Sequence, residues 1–302
     1  MKVVIPNTLE IVSSSITESD AQDGPLWSAS TTYALGALVR KNHKRYASLA
    51  DSNTGNDPAA SSPSISAKWR YLGATNLYAC IDDFVDTQTV AAEGATSLTL
   101  TVPFNRATAF GLLNVNAAAV SVLIKDDQDD VYYTADYNMV ADLTSFSAYQ
   151  YCFYPIRAAH EIVATDVPMP ILGSMRVTLT GNAPAIGHIV AGRTHYIGET
   201  EYKASVGELD YSTKKTDEFG VTTFIRRSYA SRMSLPIYLH PSELDAVGRV
   251  MRDVRATPCL WIGDNRDNGH AALTVYGWKE DYRSVFSGPN QIEMSLEIQG
   301  LI

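Results

Sequence analysis

The chain has 302 residues, 45% of them hydrophobic and 19% charged, and its 24 basic and 33 acidic side chains give a net charge of −9. This length favours two or three domains with substantial cores. The acidic balance argues against nucleic acid as the main partner, because contacts to phosphates require clustered lysine and arginine. We also expect no signal peptide and no membrane insertion, since no apolar run has the required length.

The first predicted element is an extended arm at residues 1–20. Three serines at positions 13–15 and the polar stretch at 17–20 indicate a loose segment with little side-chain surface to bury. Such an arm is suited to clasping a neighbouring subunit.

An aromatic block follows in residues 21–76, with the spacing W-x5-Y-x2-G-x2-V-x6-Y, then N-T-G-x2-P and W-x3-G. Flat aromatic rings held by tight turns can stack on the apolar faces of sugars. The block resembles the small chitin-binding type of carbohydrate-binding module, and the residues from 51 to 66 within it are predicted to form a loop. The glycan-binding candidates are Tyr46, Trp69, Trp27, Tyr33 and Asn53.

Within this block some aromatic side chains must fill the small core. We expect Trp27, Tyr33 and Val39 to do so, which leaves Tyr46 and Trp69 as an exposed pair. Sugar binding is one hypothesis for the block. The alternative is that it serves as a spacer or docking piece.

Residues 77–195 alternate in the manner of short strands separated by Gly, Asn, Asp or Pro, which indicates a two-sheet β-sandwich. The predicted strands are Ser97–Val102, Ala109–Val115, Val120–Lys125, Val131–Tyr133, Tyr149–Tyr154, Glu161–Thr165, Met175–Thr180 and His188–Arg193. The order of these segments resembles that of galactose-binding-like jelly rolls. It consists of an early Asp82-Asp83-Phe84, an aromatic strand at 149–153 and an apolar strand from His188.

Residues 196–302 carry the one convincing helix pattern. Leu244, Val247, Met251 and Val254 recur at helical spacing, Ser242 can cap the start with Asp245 as partner, and Thr257-Pro258 ends the pattern. The surrounding strands are predicted at Thr222–Arg227, Met233–Leu239, Cys259–Ile262, Leu273–Trp278 and Gln291–Ile298. The fold class is therefore mainly β, with an aromatic module, a sandwich and a C-terminal α+β unit.

The acidic run Asp126, Asp127, Asp129 and Asp130 lies between two predicted strands. A hairpin turn is the simpler interpretation, because aspartates favour turns. A calcium loop is the alternative, since hard cations bind such oxygens. These four residues are the main metal-site candidates, a cation site at Asp82-Asp83 is a further alternative, and no cofactor is predicted.

Catalytic motifs are not apparent. The histidines at 43, 160, 188, 195, 240 and 270 are scattered, and neither a serine-nucleophile elbow nor a phosphate loop occurs. Cys80, Cys152 and Cys259 are widely spaced in apolar settings, which predicts buried free thiols rather than a metal or redox pair. We therefore expect a protein that is not an enzyme.

A local basic run interrupts the acidic chain at residues 226–232. One interpretation is a solvated strand face. The other is a contact with an acidic neighbouring subunit, because arginine and tyrosine are favoured at interfaces. The interface candidates are Arg226, Arg227, Tyr229 and Arg232.

The order of these blocks resembles a family of tailed-bacteriophage virion structural proteins. The resemblance rests on the aromatic block, the segment DDFVDTQT, the segment from Asp210 to Gly220, the segment Pro258–Asp264, and the closing strand from Leu296. It implies a tail, baseplate or collar component that is made in the bacterial cytoplasm. Such a component forms a symmetric oligomer with copies of itself and contacts other virion proteins. It also displays the module toward host surface glycans. A stand-alone glycan-binding protein, or an accessory piece of a polysaccharide-degrading system, is the alternative.

Overall fold

The computed structural model describes residues 1–60, 68–140, 147, 149, 158–264 and 271–301. The predicted strand after Tyr149, Cys152, His270 and the end of the predicted 51–66 loop lie outside the described residues. The mainly-β class is confirmed, with antiparallel sheets, a curled half-barrel and a single C-terminal helix.

The elements are numbered along the described residues. The strands are β1 Lys2–Pro6, β2 Ser13–Ser14, β3 Leu38–Lys41, β4 Lys44–Ser48, β5 Trp69–Ala74, β6 Thr89–Val90, β7 Ser97–Asn105, β8 Ala109–Asn116, β9 Ala119–Asp126, β10 Val131–Asn138, β11 Ile162–Thr165, β12 Leu172–Thr180, β13 Ala185–Tyr196, β14 Glu199–Thr200, β15 Ser205–Asp210, β16 Thr213–Thr216, β17 Thr222–Ile225, β18 Tyr229–Leu239, β19 Cys259–Ile262, β20 Thr274–Gly288 and β21 Gln291–Gly300. The α-helices are α1 Asp20–Asp23 and α2 Leu244–Asp253.

The sandwich is formed by a five-stranded sheet, in the order β10–β9–β12–β7–β2, packed on one end of a larger sheet. Alternate residues of β7 point into the interface, and all four of them, Leu98, Leu100, Val102 and Phe104, belong to the shared core. Phe110 and Leu112 of β8 approach from the opposite sheet. The period-two pattern of the sequence therefore sets the buried face.

The larger sheet has eleven strands and runs from the sandwich into the C-terminal unit along the path β11–β8–β13–β1–β19–β20–β21–β18–β14. Strand β13 is buried on both faces from Ala185 to Gly192. Ile189 faces the sandwich core, whereas Val190 packs in a second cluster with Leu260 of β19. The two predicted units thus share one sheet.

Strand β1 joins these units, so the prediction of a free arm at residues 1–20 is wrong. Lys2 is paired with Tyr196 on one side and with Ile262 on the other. Val3 and Val4 are fully buried on opposite faces of the sheet, each in a different core. A short apolar strand in a central position stays buried because both faces and both edges are covered.

The C-terminal unit curls around α2. Val247 and Met251 of α2 pack on Leu235 of β18 and Leu296 of β21, which confirms the amphipathic helix. Its start differs from the predicted cap. A short 3₁₀ turn at Pro241–Glu243 precedes α2, and the Glu243 carboxylate accepts a hydrogen bond from the His240 backbone N–H at 3.3 Å.

The aromatic module is a three-stranded meander, β3–β4–β5. Asn42 and His43 form the two-residue turn between β3 and β4, with φ values of 50° and 61°. Positive φ at both positions suits the twist of a tight hairpin, and asparagine tolerates this conformation well. The turn pairs β3 with one edge of β4. On the other edge of β4, Tyr46 lies opposite Tyr71 of β5.

Candidate functional site

The first candidate surface is the aromatic module, whose predicted exposed pair is in fact its core. Trp69 and Tyr46 are only 4% and 8% exposed, and they pack with Tyr33 and Val39 in one cluster. The rings of Tyr33 and Trp69 meet edge to face with centroids 5.3 Å apart. A sheet this small has few apolar side chains, so its large aromatics are used for packing.

Hydrogen bonds fix the same core. The Trp69 indole Nε1 donates to the Asn56 carbonyl at 2.9 Å, and the Tyr33 hydroxyl accepts from the Ser28 backbone N–H at 2.8 Å. Asn53 is 3% exposed and donates to the Ser48 hydroxyl at 3.0 Å. Asn53 therefore holds the loop from within and is not turned toward a ligand.

Trp27 is half-buried at the edge of this core. The ammonium group of Lys41 lies 4.3 Å from its ring centroid and also pairs with the Asp57 carboxylate at 2.6 Å. The cation covers one face of the indole and stabilises it. Of the five predicted glycan contacts, none presents a free aromatic face.

The aromatic ring that does reach solvent in the module is Tyr71, which is 44% exposed. The Lys44 ammonium lies 5.6 Å from its centroid, and partial burial together with Asp82 and Asp83 raises the pKa of its hydroxyl. Asp82 accepts hydrogen bonds from the Thr87 hydroxyl at 3.0 and 3.1 Å. An aromatic face rimmed by an ammonium group and carboxylates is the kind of surface that contacts sugars.

Sequence reasoning missed Tyr71 because the register of β4 and β5 is irregular. The ladder shifts between Arg45 and Tyr46, and this shift pairs Tyr46 with Tyr71. Trp69 and Tyr71 are two residues apart, a spacing that places both on the same face of a regular strand. The sequence signal for this surface is the presence of tyrosines on two neighbouring strands, Tyr46 and Tyr71. Their positions in the sequence alone do not reveal which of the two rings is buried.

Glu18 attaches the module to the sandwich. Its carboxylate accepts a hydrogen bond from the Thr75 hydroxyl at 2.6 Å and lies 2.9 Å from Nδ1 of His43, whose ring stacks on Tyr78. Burial raises the pKa of Glu18, but the hydrogen bonds from Thr75 and His43 outweigh it and lower the pKa overall. The exposed face of the module is thus held in a fixed position on the larger body.

The acidic run forms a hairpin turn between β9 and β10, as the simpler interpretation predicted. One carboxylate oxygen of Asp126 accepts from the backbone N–H groups of Gln128 and Asp130, both at 2.9 Å, and Asp129 pairs with Lys125 at 3.2 Å. In the part of the chain that the structure describes, no group of three or more His, Cys, Asp or Glu side chains is arranged to hold a metal. Asp127 points to solvent.

The buried reactive groups have packing roles. Cys80 and Cys259 are fully buried free thiols, as predicted, and burial raises the pKa of each to about 12. His188 on β13 is also buried. Burial lowers its pKa to about 4, and its ring lies 4.6 Å from that of Tyr276. These side chains are enclosed, so they offer no accessible nucleophile or base.

The second candidate surface is the basic run in the C-terminal unit. Arg232 is bound within its own sheet, at 2.7 Å from the Glu297 carboxylate and 3.4 Å from that of Glu280. Its guanidinium group is therefore already paired within its own chain, which the prediction of a subunit contact did not include. Arg226 and Arg227 are exposed, and so is Tyr229, at 56%.

These exposed arginines lie at the base of a projecting β-hairpin formed by β16 and β17. This two-stranded sheet pairs with no other strand among the described residues. Phe219 at its tip is 91% exposed, and Val221 and Phe224 are 61% and 74% exposed. The neighbouring strand β15 pairs on one side only, with β18, so it forms an open sheet edge.

Comparisons with known proteins do not identify the chain: no family model matches it, and no similar curated protein or solved structure is found. In the residues described here, no helix is long and apolar enough to cross a membrane. A functional assignment therefore rests on the geometry of the two candidate surfaces.

Proposed function

We propose that this protein is a non-enzymatic component of a bacteriophage virion that assembles as a symmetric oligomer in the tail, baseplate or collar. The observation that carries this proposal is the solvent-exposed hairpin of β16 and β17. The order of sequence blocks along the chain resembles that of tailed-bacteriophage virion structural proteins, and this resemblance supports the phage assignment. The same resemblance implies synthesis in the bacterial cytoplasm and a final location in the particle.

The hairpin supports assembly for two physical reasons. An isolated two-stranded hairpin is at best marginally stable in water, because it has no third strand or packed face to support it. The hairpin also exposes three large apolar side chains, Phe219, Val221 and Phe224, and exposed apolar surface of this kind marks contact sites in folded proteins. A neighbouring subunit that covers them supplies the missing packing.

The enclosure of the reactive groups that the structure describes is consistent with this role. Among the described residues, the buried thiols and His188 are enclosed, and the carboxylate turn at Asp126–Asp130 is built on its own backbone. Assembly proteins need extensive surfaces and no reactive groups. We therefore propose no enzymatic activity.

Electron microscopy tests the proposal. We expect purified protein to form particles of one symmetry, and antibody against the chain to label the tail region of intact virions. Sedimentation velocity over a hundredfold range of concentration gives the second measurement. A strictly monomeric protein that is absent from virions overturns the proposal.

A second candidate function is glycan binding by the module, and the half-exposed ring of Tyr71 favours it. The Lys44 ammonium group lies 5.6 Å from the ring centroid, and the carboxylates of Asp82 and Asp83 act on the hydroxyl, so groups that hydrogen-bond sugar hydroxyls are near the ring. Within a virion this surface would contact host glycans. As the alternative, a stand-alone glycan-binding protein or accessory module would bind glycan as a monomer.

A further inference from the structure

A cleft of about 750 Å³ lies beside α2 in the C-terminal unit. It is bounded by α2 and by the part of β20 that extends beyond the pairing with β19. Leu244 and Tyr282 supply apolar surface to its lining, whereas Val247 is buried beneath it in the C-terminal core. The cleft is open to solvent, so a projecting side chain can enter it.

The same cleft is strongly cationic. Its lining contains Arg249, Arg252 and Arg283, against the single carboxylate of Asp245. In the described part of the chain, no ion pair joins any of these three guanidinium groups to a carboxylate. In a protein of net charge −9, three unpaired arginines around an apolar floor fit an anionic and apolar partner.

The tip of the β16–β17 hairpin has this character. Asp217 accepts hydrogen bonds from the backbone N–H groups of Phe219 at 3.0 Å and Val221 at 2.8 Å, and Gly220 adopts a φ of 79°. This turn projects Glu218 and Phe219 into solvent. The tip therefore offers a carboxylate next to an aromatic ring.

Strand register shows that the tip lies far from the cleft of its own chain. Tyr282 in the cleft is paired with Leu296, which is paired with Leu235 of β18. The hairpin departs before Tyr229, six residues earlier on β18, which is about 20 Å along the strand at 3.3 Å per residue. Beyond Tyr229 the β15–β18 ladder continues through the hydrogen bond from the Tyr211 N–H to the Ser228 carbonyl into the β16–β17 pairing, so the ribbon leads away from Leu235.

We propose that the hairpin tip of one copy, residues 217–221, docks into the α2–β20 cleft of a second copy. Phe219 packs on Leu244 and Tyr282, and Glu218 pairs with the arginines of the cleft. The proposal rests on the proposed self-association and identifies the surfaces that carry it. The two surfaces differ, so the contact is head to tail, and it produces a ring if the rotation closes or a filament if it does not.

The test uses two variants of the full chain. The tip variant carries Glu218→Arg and Phe219→Ser, and the cleft variant carries Arg249→Glu and Arg283→Glu. Each is expected to raise the concentration at half-assembly by about tenfold or more, because buried aromatic and charged anchors dominate such contacts. Glu93→Arg, at an exposed position of the sandwich outside both surfaces, changes the charge as Glu218→Arg does; it is the control and should assemble like the wild type.

Mixing the two defective variants gives the decisive result. The intact tip of the cleft variant fits the intact cleft of the tip variant, so a 1:1 mixture should form dimers that do not grow further. Sedimentation velocity and native mass spectrometry measure this, and circular dichroism confirms that each variant is folded. Oligomers that survive both sets of substitutions, or a mixture without dimers, overturn the contact but leave the proposed function in place. A strictly monomeric wild type overturns the contact, and a monomeric wild type that is also absent from virions overturns the proposed function.

Discussion

Tyr46 and Tyr71 are cross-strand neighbours in the aromatic module, with ring centroids 5.8 Å apart, yet only one of them reaches solvent. Tyr46 is 8% exposed and Tyr71 is 44% exposed. This difference separates a packing role from a binding role within one pair of identical side chains. It also provides matched variants for testing glycan binding.

If the module binds glycan, Tyr71→Ala is expected to abolish retention on a glycan array while changing the free energy of unfolding by about 1 kcal/mol or less. Tyr46→Ala should instead destabilise the protein by several times more, because it removes a buried ring. Array binding and urea denaturation measure the two effects. Full glycan retention by Tyr71→Ala would exclude this surface as the binding site.

Trp69 tests the corrected assignment of the module core. Trp69→Ala should cost about 3–5 kcal/mol of folding stability, since a buried aromatic ring and its hydrogen bond to Asn56 are lost. Trp278→Ala, at a tryptophan that is 39% exposed, should cost less than half as much. Thermal and chemical denaturation of both variants provide the comparison. Equal losses would mean that Trp69 is not a core residue.

Gly192 tests the central position of β1. A Cβ at this residue would lie 2.0 Å from the carbonyl oxygen of Ile5, so Gly192→Ala must displace β1. We expect a destabilisation of about 1–3 kcal/mol or more, as for other overpacked sites. Gly207→Ala is the matched control, because no heavy atom lies within 4 Å of its added Cβ, and it should be nearly neutral. A tolerated Gly192→Ala would contradict the position of β1.

His188 predicts a pH dependence of stability. Its pKa falls from an ordinary value of 6.5 to about 4 in the folded protein, chiefly through burial and despite the opposing effect of Asp83. Between these values the unfolded chain binds more protons at this site, so stability decreases as the pH falls from 6.5 to 4. The full shift corresponds to about 3 kcal/mol.

His188→Gln removes this titration, so its unfolding free energy should depend less on pH than that of the wild type. Urea denaturation at pH 7 and at pH 4.5 measures the difference between the two proteins. Parallel pH profiles for His188→Gln and the wild type would exclude the buried histidine as a source of acid sensitivity.

Local patterns predicted much of the fold. The alternation of Ile292, Met294, Leu296 and Ile298 predicted β21, and all four side chains are fully buried or nearly so. Helical spacing predicted α2, although its cap was misassigned because a 3₁₀ turn precedes it. The strands that the sequence did not predict are mainly short or polar, such as β2 and β16. Their own residues do not indicate which strand they pair with.

The sequence by itself determined which faces of the strands and of α2 are apolar, because side chains alternate along a strand and recur along a helix at fixed spacing. Only the tertiary structure decided the neighbours. It placed β1 between β13 and β19, where Lys2 is paired with Tyr196 and Ile262. It also buried Tyr46 while exposing Tyr71, and paired Arg232 with Glu297. Such contacts depend on long-range register, and a local pattern of polar and apolar residues fits many registers equally well.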